Sequence, residues 1–185
     1  RYHFDFTMAF DREVPLLPVF VWFYILAFPF WAVGYLLAAR RGKDMFYRFV
    51  ATDLTIHFIC FICFILIPTT NIRPEIPGNT LSEKILALVY SLDGGNSPSN
   101  LFPSIHCYVS WMCWKGVEGS EKVPKWYQRF SLVFAILIII STQVLKQHYI
   151  VDAAAALLLV EFFWRFYQKG QRHKWVVHVF AHKKK

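Results

Sequence analysis

The sequence predicts an all-α protein, a polytopic helical bundle in a membrane, on three observations. Hydrophobic residues fill 56% of its 185 positions and aromatic residues 19%, more apolar material than a soluble core of this length needs. The apolar residues gather into runs about the length of a bilayer crossing. The basic residues, which bring the net charge to +8, lie between or after those runs rather than along one face or arm. This distribution is that of cytoplasmic loops and argues against a nucleic-acid partner.

Five spans follow in order. The first covers Val14 to Ala39, with Pro15 and Pro18 suited to its entry and Pro29 placed to kink it. The second covers Met45 to Ile67. The third, Pro103 to Gly116, is the shortest and most polar, and taken alone it reads equally as a buried or re-entrant segment. The fourth and fifth cover Tyr127 to Leu145 and Tyr149 to Tyr167. Between the second and third lies the longest polar connection, 68–100, where Leu81, Ile85, Leu88 and Leu92 predict a short helix, either lying on the membrane surface or covering a site. No repeat divides the chain, so 1–185 reads as one transmembrane domain.

Charge orients the bundle. All lysines and arginines except Arg1, Arg12, Arg73, Lys84 and Lys146 fall in Arg40 to Arg48, Lys115 to Arg129 and Arg165 to Lys185. These loops and the basic tail 173–185 are expected in the cytoplasm, the tail either resting on anionic headgroups or disordered. The 68–100 loop is then extracytoplasmic. A bacterial plasma membrane is the expected location. Cys60, Cys63, Cys107 and Cys113 all sit in or at the start of apolar runs, and the Cys60/Cys63 spacing has no second pair to complete a zinc site. Neither metal nor cofactor is expected.

Ionisable residues at a membrane edge need partners or a purpose. Pro103-Ser104-Ile105-His106 opens the third span, where free backbone N–H groups favour an anion and Ser104 adds a hydroxyl; an ordinary helix cap with a packed His106 is the plain alternative. His148 and Asp152 are four apart, so on a helix Asp152 orients the imidazole as a nucleophilic histidine requires, although such a pair alone is often just solvated. Ser141, seven residues before His148, shares its face only if the helix continues through the turn. Lys146 reaches the same place only if the chain is extended there; otherwise it faces headgroups. Asp53 and His57, also four apart, are expected to satisfy each other inside the bundle, as are Glu161 and Arg165. The tryptophans read as interfacial anchors or packing.

These residues resemble the type 2 phosphatidic acid phosphatase superfamily, whose motifs run roughly K-x6-R-P, P-S-x-H and S-R-x5-H-x3-D. The second is complete at Pro103, Ser104, Ile105 and His106. The third matches at Ser141, His148 and Asp152 with Thr142 in the usual Arg position, and the first only at Arg73 and Pro74, with Leu66 for the usual Lys. The resemblance implies a metal-independent membrane lipid phosphatase in which His148 attacks phosphorus, Asp152 orients it, His106 protonates the leaving alkoxide, and Arg73, Ser104 and Ser141 hold phosphoryl oxygens. Lys146 is the candidate for replacing the missing cations. The His148 to Asp152 stretch is also similar to sphingomyelin and inositol phosphorylceramide synthases, so transfer to a lipid hydroxyl stands as the alternative reaction, and a silent lipid-phosphate-binding relative as a second class. The family's usual six spans, against five here and a start at Arg1, imply a first helix outside this chain. Lipid identity, acceptor and oligomeric state are left open.

Overall fold

The computed structural model describes residues 3–95 and 98–181 and is helical throughout its framework. A short α1 (Ala9–Glu13) and a 3₁₀ turn (Pro18–Phe20) lead into α2 (Val21–Ala39), followed by α3 (Lys43–Leu66), α4 (Leu81–Leu92), α5 (Ile105–Val117), α6 (Lys125–Val144), α7 (Ile150–Gln168) and α8 (Lys174–Ala181). The predicted spans correspond to α2, α3, α5, α6 and α7. Extended structure among the described residues is limited to isolated bridges, Phe4 with Thr69 and Thr70 with Ser99, which tie the N-terminal segment to the long loop.

The spans differ in character. The stretches Pro18–Ala39, Lys43–Leu66 and Lys125–Val144 are each long and apolar enough to cross a membrane unaided. By contrast, α5 has 13 residues, about 20 Å at 1.5 Å per residue, against a hydrocarbon core of about 30 Å. It is instead the central post of the bundle, packed on α2, α3, α6 and α7, with Cys107, Tyr108, Met112, Cys113 and Val117 fully buried. Its closeness to α2 depends on a missing side chain: a Cβ on Gly34 would lie 2.6 Å from Cys113 Sγ, the small-residue contact by which membrane helices approach. Within an otherwise apolar stretch α7 carries Asp152, which is buried, and Glu161 and Arg165, which are not. Glu161 is met by Lys115 at 3.0 Å, Arg165 at 3.3 Å and the Trp111 indole at 2.9 Å, so the expected Glu161–Arg165 pair is part of a larger set.

The basic loops gather at one end of the bundle, and several of their charges cap helices there. Arg48 donates to the carbonyls of Tyr167 and Gln168 at 2.8 and 2.7 Å, at the C-terminus of α7, and Arg41 donates to Gly116 O at 3.3 Å, at the end of α5. Of the predicted basic tail, α8 docks through Val176 onto Ala51 and Tyr167, while 182–185 lie outside the described residues.

The helix predicted in the long loop spans Leu81–Leu92, opened by Thr80, whose hydroxyl accepts the Glu83 N–H while Glu83 Oε2 accepts the Thr80 N–H. Its inward face is Leu86 and Tyr90, packed with Val21, Tyr24 and Leu145. Leu81, Leu88 and Leu92, part of the stripe that predicted the helix, point outward. The helix therefore uses one apolar face on the bundle and leaves a second exposed.

Candidate active site

Opposite the basic end, three chain segments meet. The first turn of α7 is stitched to the start of α5 by Ser104 N donating to Asp152 O at 3.3 Å. Ser104 is fully buried and caps α5, its Oγ accepting the Cys107 N–H at 3.3 Å. The next residue but one, His106, is thereby aimed at α7, and its ring centre lies 6.2 Å from that of His148.

The turn between α6 and α7 explains how His148 arrives. The N–H of Lys146 bonds Gln143 O at 3.0 Å and the N–H of Gln147 bonds Thr142 O at 2.9 Å, with Lys146 at φ 52°. These are the paired bonds of a Schellman helix stop, with lysine in the left-handed position that glycine usually fills. The helix is thus interrupted, and the chain is reversed rather than extended. His148 N then bonds Thr142 O at 3.1 Å, and α7 begins two residues later.

Within α7, Asp152 serves two ends. Its Oδ2 accepts the Tyr149 N–H at 2.9 Å, capping the helix, and sits 3.4 Å from His148 Nδ1. The Asp152 side chain is fully buried and that of His148 only 10% exposed. Yet His148 Nδ1, Asp152 Oδ1 and His106 Nε2 are all buried without a hydrogen-bond partner. Burying such atoms unpaired costs about 1–3 kcal/mol each, so their concentration here marks a place kept for something else.

An aromatic cage fixes His106. Tyr24 stacks on its ring at 4.3 Å, Trp31 lies at 5.1 Å and Phe28 meets it edge-on at 5.9 Å, all from α2. Their spacing of four and three residues puts them on one helical face, a signal present in the sequence but indistinguishable there from ordinary packing.

A cavity of about 440 Å³ opens beside His148, walled also by Arg73, Lys146, Asn71, Asp5 and Asp11. The buried Arg73 guanidinium lies 4.7 Å over the Tyr90 ring. It donates to Asp93 Oδ2 at 2.5 Å, to the carbonyls of Asp93 and Gly95, and to Gln147 Oε1, while its Nε has no partner. Lys146 Nζ donates to Asp11 O at 2.7 Å and to Val14 O. Burial holds its ammonium below the ordinary lysine range, against the pull of Asp11. Asp11 Oδ1 in turn accepts the Ile150 N–H at 2.9 Å.

Arg73, Lys146 and His148 therefore share one cavity, with Asp152 and His106 directly behind. Ser141 does not join them: it is fully buried and its Oγ donates to Ile138 O at 2.6 Å, one turn back in its own helix. Three contributors went unread in the sequence. Gln147, the α2 aromatics, and the N-terminal Asp5 and Asp11 reach the site only through long-range contacts.

A sequence model described as the PAP2 superfamily matches residues 1–165. No curated protein and no solved structure matches the chain.

Proposed function

Because the chain belongs to the PAP2 superfamily, whose members are phosphatase- and phosphotransferase-type lipid enzymes, we propose that it is an integral membrane phosphatase hydrolysing a lipid phosphate ester through a phosphohistidine. The observation that carries this reading is the pair of part-buried imidazoles 6.2 Å apart, His148 with its Nδ1 facing Asp152 Oδ2 at 3.4 Å and His106 with an unpartnered Nε2, beside a cavity holding Arg73 and Lys146.

In the first step Asp152 accepts a hydrogen bond from the Nδ1–H of His148, which fixes the tautomer and leaves the Nε2 lone pair to attack phosphorus. The N–P bond forms as the P–O ester bond breaks, and His106 gives its Nε2 proton to the departing alkoxide. Water then attacks phosphorus, His106 recovers a proton from it, and the P–N bond breaks to release phosphate. Arg73, through its free Nε–H, steadies the equatorial oxygens together with Ser104 and Lys146, because phosphoryl transfer is mainly in-line positioning and charge stabilisation. Ser141, hydrogen-bonded inside α6, supports the turn that carries His148.

Transfer to a lipid hydroxyl instead of water is the second reading, and the state of the cations favours it. Arg73 is shared with Asp93 and Gln147, Lys146 with two carbonyls, Thr142 replaces an arginine, and Asp5 and Asp11 set two carboxylates on the wall against Arg12. Such a weakened grip suits a singly charged phosphodiester better than a dianionic monoester. The first step is the same; only the acceptor differs. The site is proposed to face away from the cytoplasm, since the basic loops lie at the other end.

Purified protein is to be incubated with phosphatidic acid, with an isoprenyl diphosphate, and with a phospholipid plus ceramide or diacylglycerol. Release of inorganic phosphate marks the phosphatase and a new head-group lipid the transferase. Orthovanadate is expected to inhibit and to bind beside His148. No turnover of any substrate, with vanadate binding equally to wild type and His148→Ala, would leave a silent lipid-phosphate binder as the answer.

A further inference from the structure

Two neighbouring clefts lie along the outer surface of α7. One, of about 390 Å³, lies between α3 and α7 against Ile59, Cys63, Ala155, Leu158 and Phe162, and reaches Phe102 and Pro103 at the start of α5. The other, of about 440 Å³, shares Leu158 and Phe162 and ends among Arg165, Lys169 and Arg172. Leu158 is 71% exposed and Phe162 63%, so no described residue covers the two side chains that the clefts share.

The far end is positively charged. Glu161 is the carboxylate in that cleft, and it already meets Lys115, Trp111 and Arg165. The Arg165 side chain is 76% exposed. Arg172 lies 4.2 Å over the ring of Phe166, which fixes its guanidinium at the rim. Lys169, just past the end of α7, is also exposed.

The dimensions match one lipid. From Ala155 to Lys169 is about 21 Å along the helix axis, and one leaflet with its headgroup layer measures about 20–22 Å. A phosphate on the cations would thus hang an acyl chain past Phe162 and Leu158 to end near Ala155. We propose that these two neighbouring clefts together form a binding site for one anionic phospholipid with its headgroup in the leaflet opposite the catalytic histidines. Its cationic end lies away from the cavity at His148, while its apolar end reaches Pro103, and the proposal does not depend on which side of the membrane either end faces.

Native mass spectrometry of the full chain, released from micelles doped with phosphatidylglycerol or phosphatidylcholine, tests it. Wild type is expected to retain phosphatidylglycerol in preference to phosphatidylcholine. R165Q/K169Q/R172Q lowers that retention by about tenfold or more. A155W, which fills the chain-binding end without changing charge, lowers it by about threefold or more. K122Q/K125Q/R129Q removes the same charge from the same end of the bundle and is expected to stay within about twofold of wild type. An equal loss in that control would show general surface attraction and overturn the site. So would unchanged retention in both cleft variants, or a change in oligomer mass without a change in lipid. Circular dichroism checks helix content, and if the triple variant misfolds, A155W against the control decides.

Discussion

The chain carries two acid–histidine pairs of the same spacing, and their fates differ. Asp53 and His57 lie on α3 with Oδ1 and Nδ1 3.6 Å apart; His148 and Asp152 open α7 with Nδ1 and Oδ2 3.4 Å apart. Around the first pair every role is filled. Tyr35 donates its hydroxyl to Asp53 Oδ1 at 2.7 Å, the Tyr108 hydroxyl meets the His57 ring, and His57 is half exposed on the bundle's flank. Around the second pair the ring nitrogen and one carboxylate oxygen are buried and unpartnered, a second histidine stands opposite, and a cavity opens in front. Two hydroxyls turn the same motif into a structural clasp between helices. Their absence leaves one with chemistry to offer.

The largest test of that contrast is to remove each imidazole. His148→Ala is expected to cost on the order of 10⁴-fold or more in initial rate on whichever lipid proves to be the substrate, whereas His57→Ala should stay within about threefold. Equal losses would erase the distinction. Next, His106→Asn should slow single-turnover release of the alcohol from an alkyl phosphate ester by about 10²- to 10⁴-fold and release of nitrophenolate from p-nitrophenyl phosphate far less, since nitrophenolate leaves without a proton. A uniform loss in this first step would mean that His106 only packs against its aromatic cage.

A smaller effect is expected at Gln147, which holds Arg73. Gln147→Ala should raise KM by about tenfold, the order of one lost charge-assisted hydrogen bond, with kcat nearly unchanged because the residue acts through the guanidinium. The smallest effect belongs to the clasp. Asp53→Asn should lower thermal stability in detergent by about 1 kcal/mol, in the range measured for interhelical hydrogen bonds in membranes, and leave the rate unaltered.

Reading the sequence reached unevenly into this picture. The long spans, α2, α3 and α6, were legible because each is a run of apolar residues, a local property, and Leu81 to Leu92 was legible as a helix for the same reason. Which side of that helix packs was not, since Leu81, Leu88 and Leu92 are as apolar as Leu86 and only neighbouring helices decide. Lys146 was tied to an extended chain, yet a helix stop with lysine in the left-handed position brings it to the cavity instead. Ser141 matched its motif by spacing, but its hydroxyl turns back to Ile138 O.

The sequence by itself therefore determined a membrane helical bundle, a basic end, and the acid–histidine spacings, because helical periodicity and local charge set all of these within single segments. Only the tertiary structure decided which pair is fully partnered and which keeps unpartnered atoms beside a cavity. That choice rests on whether Tyr35 and Tyr108, or His106 and an open cavity, arrive from other helices, and whether a buried polar atom finds a partner is settled by contacts distant in the chain.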